Sequence, residues 1–154
     1  MKIVTADIMR AEDTAASEIY NIPSLLLMEN AATETVAVME KELELNGKKL
    51  LVVCGGGNNG GDGLAIARKL FCKGYDVSIF ACFSETGLTE SAAVNYKSVK
   101  KLNIPFVTDF SAADIIIECL LGVGLRGEVK SLAAEIISKI NQINKKVVSV
   151  DIPG

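Results

Sequence analysis

The chain has 154 residues, of which 49% are hydrophobic and 23% are charged, and its net charge is −3. This size and composition fit one packed domain and exclude a disordered chain. The charge is low and no basic block is present, so we expect no nucleic-acid partner. No apolar run approaches the roughly 18 residues of a membrane span, and the sequence turns polar within its first residues. We therefore expect a soluble, cytoplasmic protein with no membrane attachment.

The chain has four cysteines and no histidine, which narrows the possible chemistry. Because no cysteines are spaced as CxxC, we expect no structural zinc site. Cys54, Cys82 and Cys119 lie in apolar stretches and are predicted to be small core residues. An acid or base must be Asp, Glu, Lys, Tyr or Cys, and no Ser-His or Cys-His pair can exist.

Two helices are predicted first, and helices and strands then follow one another along the chain. The predicted elements are helices at 5–19 and 24–45, a strand at 48–54, a helix at 62–73, a strand at 76–82, a helix at 90–103, strands at 104–107 and 114–121, a helix at 130–144 and a strand at 145–152. Thr5 is a candidate N-cap, and Gly74 a candidate helix stop. Near-continuous apolar strands separated by helices predict an α/β fold with a mostly parallel sheet covered on both faces.

The sequence stops at Gly154, directly after a strand that is predicted to be buried. With no helix after this strand, one face of it would be left uncovered. We therefore expect the 154 residues to be one domain, truncated at its C-terminal end.

Three polar or glycine-rich segments follow predicted strands. They are GGGNNGGDG at 55–63, GVGLRGE at 122–128 and DIPG at 151–154. Because ligands of parallel sheets bind beyond the carboxyl ends of the strands, these segments predict a single binding site.

The first two segments each contain the pattern GxGxxG, at Gly55, Gly57 and Gly60 and at Gly122, Gly124 and Gly127. Such loops let backbone N–H groups approach an anion, and a following helix adds a favourable dipole. The acidic residue that usually ends the second strand of a dinucleotide site is missing, since Glu85 lies several residues late. The sequence GK[ST] of a Walker-type ATP site is also absent. The pattern indicates a phosphate or nucleotide site without the usual ribose contact.

Several polar residues in these segments allow two interpretations each. Asp62 either caps a helix or belongs to the site, and Asn58 and Asn59 either occupy left-handed turn positions or bind a ligand. Glu118, within an apolar strand, is either an edge residue or a site residue, because an unpaired buried charge is costly. Asp151 is either a turn residue or a functional carboxylate.

Two further positions are left open in the same way. Arg126 is either a solvated loop charge or a phosphate contact. Glu29 and Asn30 either line the site or form the polar face of a helix.

Four stretches together resemble one known family: LLLMENAA, GGGNNGGDGLAIARKL, IIIECLLGVGLRGEV and VVSVDIPG. In this order and spacing they are similar to the YjeF N-terminal domain family, the NAD(P)H-hydrate epimerases. The resemblance implies a Rossmann-like three-layer α/β/α sandwich, a homodimer, and interconversion of the R and S forms of hydrated NADH or NADPH. It also implies a dehydratase, fused or as a partner, that restores the cofactor.

The resemblance also implies roles for individual residues. The implied substrate contacts are Asn58, Asn59, Gly60, Gly61, Asp62, Gly122, Val123, Gly124, Leu125, Arg126, Gly127, Glu128 and Asp151. The implied ligands of a potassium ion are Asn59, Glu118 and Gly154, where the family usually has Asp in place of Glu118 and Ser in place of Gly154. Asp151 is the first candidate for the catalytic acid and base, and Asp62 is the second. The alternatives are a non-catalytic nucleotide-binding or scaffolding module of the same fold and an NAD-dependent dehydrogenase.

Overall fold

The structure is a computed structural model that describes residues 5–122 and 132–151. Its helices are α1 (Ala6–Glu18), α2 (Ser24–Glu42), α3 (Asn58–Cys72), α4 (Glu90–Lys101) and α5 (Leu132–Gln142), with a 3₁₀ helix at Glu85–Gly87. Its strands are β1 (Lys49–Cys54), β2 (Asp76–Ala81), β3 (Ile115–Cys119) and β4 (Lys146–Ser149). Among the helices described, none has the length and apolar character needed to cross a membrane.

The four strands form one parallel sheet in the order β2-β1-β3-β4, which confirms the predicted α/β class. Residue 50 of β1 lies opposite residue 77 of β2 and residue 115 of β3. The prediction of a strand at 104–107 is wrong, because this segment makes only an isolated bridge, between Phe106 and Ile79 of β2. Pro105 has no N–H group with which to continue a ladder of hydrogen bonds.

Helices cover both faces of the sheet, so the three-layer arrangement is confirmed. Alternate residues of β1 point to opposite faces, as the two-residue period of a strand requires. Leu50 and Val52 belong to the core formed with α2, α3 and α4, whereas Leu51 and Val53 belong to the core formed with α5. The carboxyl ends of the strands, where the candidate site was predicted, lie at one edge of this sandwich.

Helix α3 begins at Asn58 and not at residue 62, so most of the predicted glycine loop is the first turn of a helix. Gly57 is its N-cap, and the N–H of Gly61 already donates to the carbonyl of Gly57 at 3.0 Å. Close packing explains the glycines. A Cβ on Gly60 would lie 1.8 Å from the carbonyl oxygen of Gly55, and only glycine tolerates that approach.

Smaller differences concern boundaries. Helix α2 ends at Glu42, three residues before its predicted end, because Leu43 is extended and Leu45 is buried. Thr5 is confirmed as the N-cap of α1, since its hydroxyl accepts from the N–H of Ile8. Gly74 has a φ of +90°, which explains why the chain turns there.

The cysteine predictions are confirmed in part. Cys54 and Cys119 are buried, whereas Cys82 is half-buried just beyond β2.

Candidate functional site

The carboxyl ends of β1, β3 and β4 meet at the predicted site. The N–H of Gly55 donates to the carbonyl of Cys119 at 3.0 Å, and the N–H of Val150 donates to the carbonyl of Glu118 at 2.9 Å. A Cβ on Gly55 would lie 2.4 Å from the carbonyl oxygen of Leu120. The strand ends that lead into the three predicted segments are therefore in direct contact.

Asn59 joins these three segments through its side chain. Its Nδ2 donates to the carbonyl of Leu121 and, at 3.1 Å, to the carbonyl of Val150. Because both partners are carbonyl oxygens, which only accept, the side-chain amide must turn its NH₂ group toward them, and this fixes its orientation. Asn59 is 7% exposed, and among the described residues its Oδ1 has no hydrogen-bond partner. A buried acceptor without a donor is costly, so a cation or another donor would be favoured beside it.

Gly122 lies between Asn59 and Asp151. A Cβ on Gly122 would be 2.5 Å from Oδ2 of Asp151 and 3.1 Å from Cβ of Asn59. Asp151 follows β4 with a φ of +73°, a left-handed conformation that costs a non-glycine residue about 1 kcal/mol. The glycine therefore allows the Asp151 carboxylate to lie close to Asn59.

Asp62 and Asp151 line one cavity of about 420 Å³. Its walls come from α1, from α2, from the start of α3 and from the segment after β4. The lining residues are Met9, Asp13, Ser17, Ser24, Leu27, Met28, Ala31, Thr35, Asn58, Asp62, Val150 and Asp151. The volume is within the range of small-molecule sites, and three of the polar groups are carboxylates.

The Asp62 carboxyl has an unusual protonation equilibrium. Burial, followed by the negative charges of Asp151 and Asp13, raises the pKa of Asp62 to about 7. At neutral pH a large fraction of Asp62 therefore carries a proton that it can donate. Asp62 lies inside α3 and not at its N-cap, so the interpretation of Asp62 as a helix cap is wrong.

The asparagines are also not turn residues in left-handed conformations. Asn58 and Asn59 are the first two residues of α3, and neither has a positive φ. At this helix start the first N–H groups lack intrahelical acceptors. Gly57 is exposed, and among the described residues none would lie within 4 Å of a Cβ placed there. An anion can approach the start of α3 from this side.

The neighbouring Gly56 does not offer such access. A Cβ on Gly56 would lie 3.2 Å from the carbonyl oxygen of Gly87 and 3.3 Å from Cβ of Phe83. The 3₁₀ helix therefore covers the loop on the side of β2. Glu85, the nearest acidic candidate for a ribose contact, lies in this 3₁₀ helix and accepts a hydrogen bond from Tyr96.

Glu118 is 2% exposed on β3, an inner strand, so the interpretation as an edge residue is wrong. Its Oε1 accepts from the N–H of Leu120 at 2.8 Å, and among the described residues its Oε2 has no partner. Glu118 lines a small cavity of about 20 Å³ together with Ile137, Ile140 and Asn141 of α5 and residues of β4.

Glu29 and Asn30 do not line the large cavity. Glu29 is half-buried and pairs with Arg68 and with Lys69, the latter at 2.8 Å. Burial would raise the pKa of Glu29, but the hydrogen bonds from Lys69 and Arg68 outweigh it, so the pKa is lowered. Asn30 is exposed. The interpretation as the polar face of α2 therefore holds for this pair.

Some residues of the cavity were not predicted from the sequence. Met9, Asp13 and Ser17 of α1 recur every four residues and therefore share one helix face. That spacing identifies a face, but it does not indicate that the face lies against Asp62. The predicted residues Val123, Gly124, Leu125, Arg126, Gly127, Glu128 and Gly154 lie outside the described part of the chain.

Comparisons with known proteins identify the family of this chain. The family model described as YjeF-related protein N-terminus matches residues 24–154. The chain is 32% identical to the bifunctional NAD(P)H-hydrate repair enzyme Nnr of Moorella thermoacetica, an alignment that covers 100% of this chain and 32% of that protein. It is 33% identical to the NAD(P)H-hydrate epimerase of Levilactobacillus brevis, with 99% of this chain and 72% of that protein covered.

A solved structure shows the same fold. The crystal structure of yeast ynu0 superimposes with a TM-score of 0.87 at 22% identity, and it covers 99% of this chain and 70% of that one. The chain thus spans about a third of the bifunctional relative and nearly three quarters of the epimerase. By the match to its family model and its identity to these relatives, the chain belongs to the YjeF-related protein N-terminus family.

Proposed function

We propose that this chain is an NAD(P)H-hydrate epimerase, which interconverts the R and S forms of hydrated NADH and NADPH. Membership of the family and the names of its relatives support this activity. The observation that carries the proposal is the pair of carboxyl groups, Asp62 and Asp151, that line one cavity. Their environments differ, because Asp62 is half-buried and Asp151 is exposed.

The reaction needs an acid, a base and a negative charge. The hydrated cofactor carries a hydroxyl group on a ring carbon next to the nitrogen. Protonation of this hydroxyl breaks the C–O bond and releases water, and the nitrogen lone pair stabilises the resulting cation. Water then adds to the opposite face and loses a proton, so that the same compound returns with the carbon inverted.

The two carboxyl groups fit these roles. Asp62, with its raised pKa, donates the proton to the leaving hydroxyl. Asp151, which lines the same cavity, stabilises the cation and accepts the proton of the incoming water. The roles exchange in the reverse direction, so each carboxyl group acts once as acid and once as base.

The start of α3 is proposed to bind the substrate beside the reacting ring. Asn58, Asn59, Gly60, Gly61 and Asp62 form its first turns, and the preceding Gly57 is exposed. The N–H groups and the helix dipole favour the diphosphate of a dinucleotide. Gly122 begins the second contact segment, which continues through residues 123–128.

A potassium ion is proposed at Asn59 and Glu118. The fit rests on their donor atoms: Oδ1 of Asn59 and Oε2 of Glu118 are buried acceptors that lack a partner among the described residues. Amide, carboxylate and carbonyl oxygens are suitable ligands for a hard cation. Gly154 could add only its backbone carbonyl. The bound ion would supply positive charge that draws the ends of β1, β3 and β4 together.

The assembly is proposed by analogy with the relatives. A relative that carries a bifunctional name contains this domain within about a third of its length. We therefore propose that the chain forms the epimerase domain, 1–154, of a repair system whose dehydratase is fused to it or acts beside it. A homodimer and a cytoplasmic location complete the proposal, and size-exclusion chromatography with light scattering tests the first.

Asp151→Asn tests the catalytic assignment. The variant removes the charge but keeps the shape, and we expect epimerisation to slow by about 100-fold or more. Asp76→Asn, at an exposed carboxylate of β2, is the matched control. Near-normal turnover in Asp151→Asn would remove Asp151 from the mechanism. Binding of the hydrates without interconversion by the wild-type chain would instead support a non-catalytic binding module.

A further inference from the structure

Helix α1 lies outside the segment that matches the family model, yet it forms one wall of the cavity. The match begins at residue 24, whereas α1 spans Ala6–Glu18. Met9, Asp13 and Ser17 of α1 line the same cavity as Asp62 of α3. The wall that α1 contributes is therefore part of the site and includes a third carboxylate.

We propose that Asp13 is a positioning residue of the epimerase, whose negative charge in the shared cavity favours the proton-donating form of the Asp62 carboxyl. The inference rests on the proposed function. It adds a role for a helix that the proposed mechanism does not use.

The surroundings of Asp62 support this role. Among the described residues, the charged groups that raise the pKa of Asp62 are Asp151 from the end of β4 and Asp13 from α1. Helix α2 contributes only uncharged lining residues, and none of the described residues that line the cavity is basic. The Cys119 thiol of β3 also interacts with Asp62, but burial raises the pKa of that thiol, so it carries no charge at neutral pH.

The effect of Asp13 follows from Coulomb's law. A negative charge in the shared cavity opposes the formation of a second negative charge on Asp62. Burial is the largest cause of the raised pKa of Asp62, the charge of Asp151 is the second, and the charge of Asp13 adds to both. The same charge favours the cation that forms on the substrate ring during the reaction.

The test compares Asp13→Asn with Glu12→Gln. Both variants remove one negative charge from α1, but Glu12 does not line the cavity. The pKa of Asp62 is measured by carboxyl-carbon NMR titration in the protein without substrate. We expect Asp13→Asn to lower that pKa by an amount on the order of a few tenths of a pH unit, and Glu12→Gln to leave it in place. Asp13→Glu should keep most of the effect.

The second readout is the pH dependence of epimerisation. In Asp13→Asn the decline of the rate toward high pH should begin at a lower pH, by the same few tenths of a unit. Equal Asp62 titrations in Asp13→Asn and Glu12→Gln would overturn the inference, whether or not the chain is an epimerase. A wild-type chain without epimerase activity, but with the expected NMR shift, would overturn the proposed function and leave the role of the charge standing.

Discussion

Replacing Asp62 by asparagine should stabilise the fold at alkaline pH while it removes the proposed catalytic acid. The pKa of the carboxyl is about 7 in the folded protein, against an ordinary value of 3.8. Below about pH 4 the Asp62 carboxyl is protonated in both the folded and the unfolded chain, so its ionisation does not reduce the stability of the fold. As the pH rises toward about 7, the unfolded chain ionises first, and wild-type stability falls.

The size of this loss follows from the difference between the two pKa values. Each pH unit between the two pKa values lowers the free energy of unfolding by about 1.4 kcal/mol, so the whole interval lowers it by about 4 kcal/mol. Asparagine has the same shape and does not ionise, so the variant escapes this loss. The stability of Asp62→Asn relative to wild type should therefore rise by about 3 kcal/mol between about pH 5 and about pH 8.

Urea unfolding followed by circular dichroism at these two pH values measures the difference. Asp76→Asn, at the exposed end of β2, controls for the loss of one charge. Epimerisation by Asp62→Asn should fall by about 100-fold or more, as expected for a lost acid. If the stability difference between Asp62→Asn and wild type is the same at both pH values, Asp62 does not have a raised pKa and the proposed acid is refuted.

Two glycines give further predictions. Gly60→Ala should destabilise the fold by about 3 kcal/mol or more, because its methyl group would lie 1.8 Å from the backbone oxygen of Gly55. Gly57→Ala should change the free energy of unfolding by less than about 1 kcal/mol. Urea unfolding of both variants measures the difference. Equal losses in the two variants would contradict the packing at the start of α3. In Gly122→Ala the added methyl group would lie 2.5 Å from the present position of Oδ2 of Asp151 and should displace that carboxylate. We expect the variant to epimerise more slowly, while its free energy of unfolding changes by about 1 kcal/mol or less. Unchanged activity in Gly122→Ala would argue that the position of Asp151 is unimportant.

The sheet was predictable because its signal is local. Residues 50–54 of β1 and 115–119 of β3 are continuous apolar runs apart from Glu118, and burial on both faces requires that composition. The start of α3 was not predictable in the same way. Glycine has a low helix propensity, so Gly60 and Gly61 suggest a loop. Close packing against Gly55 and Met28, which no local pattern reveals, overrides that propensity.

Some residues of the candidate site could likewise be predicted from the local sequence, and others depend on tertiary packing. Asn59 and Asp151 follow strands, so the topology of a parallel sheet predicts that they lie near one another. The sequence also singles out Glu118, because a carboxylate inside an apolar run is costly without a partner. Asp13 is different, since an acidic residue on an amphipathic helix is typical of a solvated surface. Only the tertiary placement of α1 shows that it faces Asp62.

The most direct test of the account uses the purified chain and one pure epimer of hydrated NADH. The substrate is incubated with the wild-type chain and the two epimers are separated by chromatography over time. The proposed function predicts that the second epimer appears until equilibrium is reached, from either starting form, and that Asp151→Asn slows this approach by about 100-fold or more. A folded wild-type chain that leaves the starting epimer unchanged would contradict it.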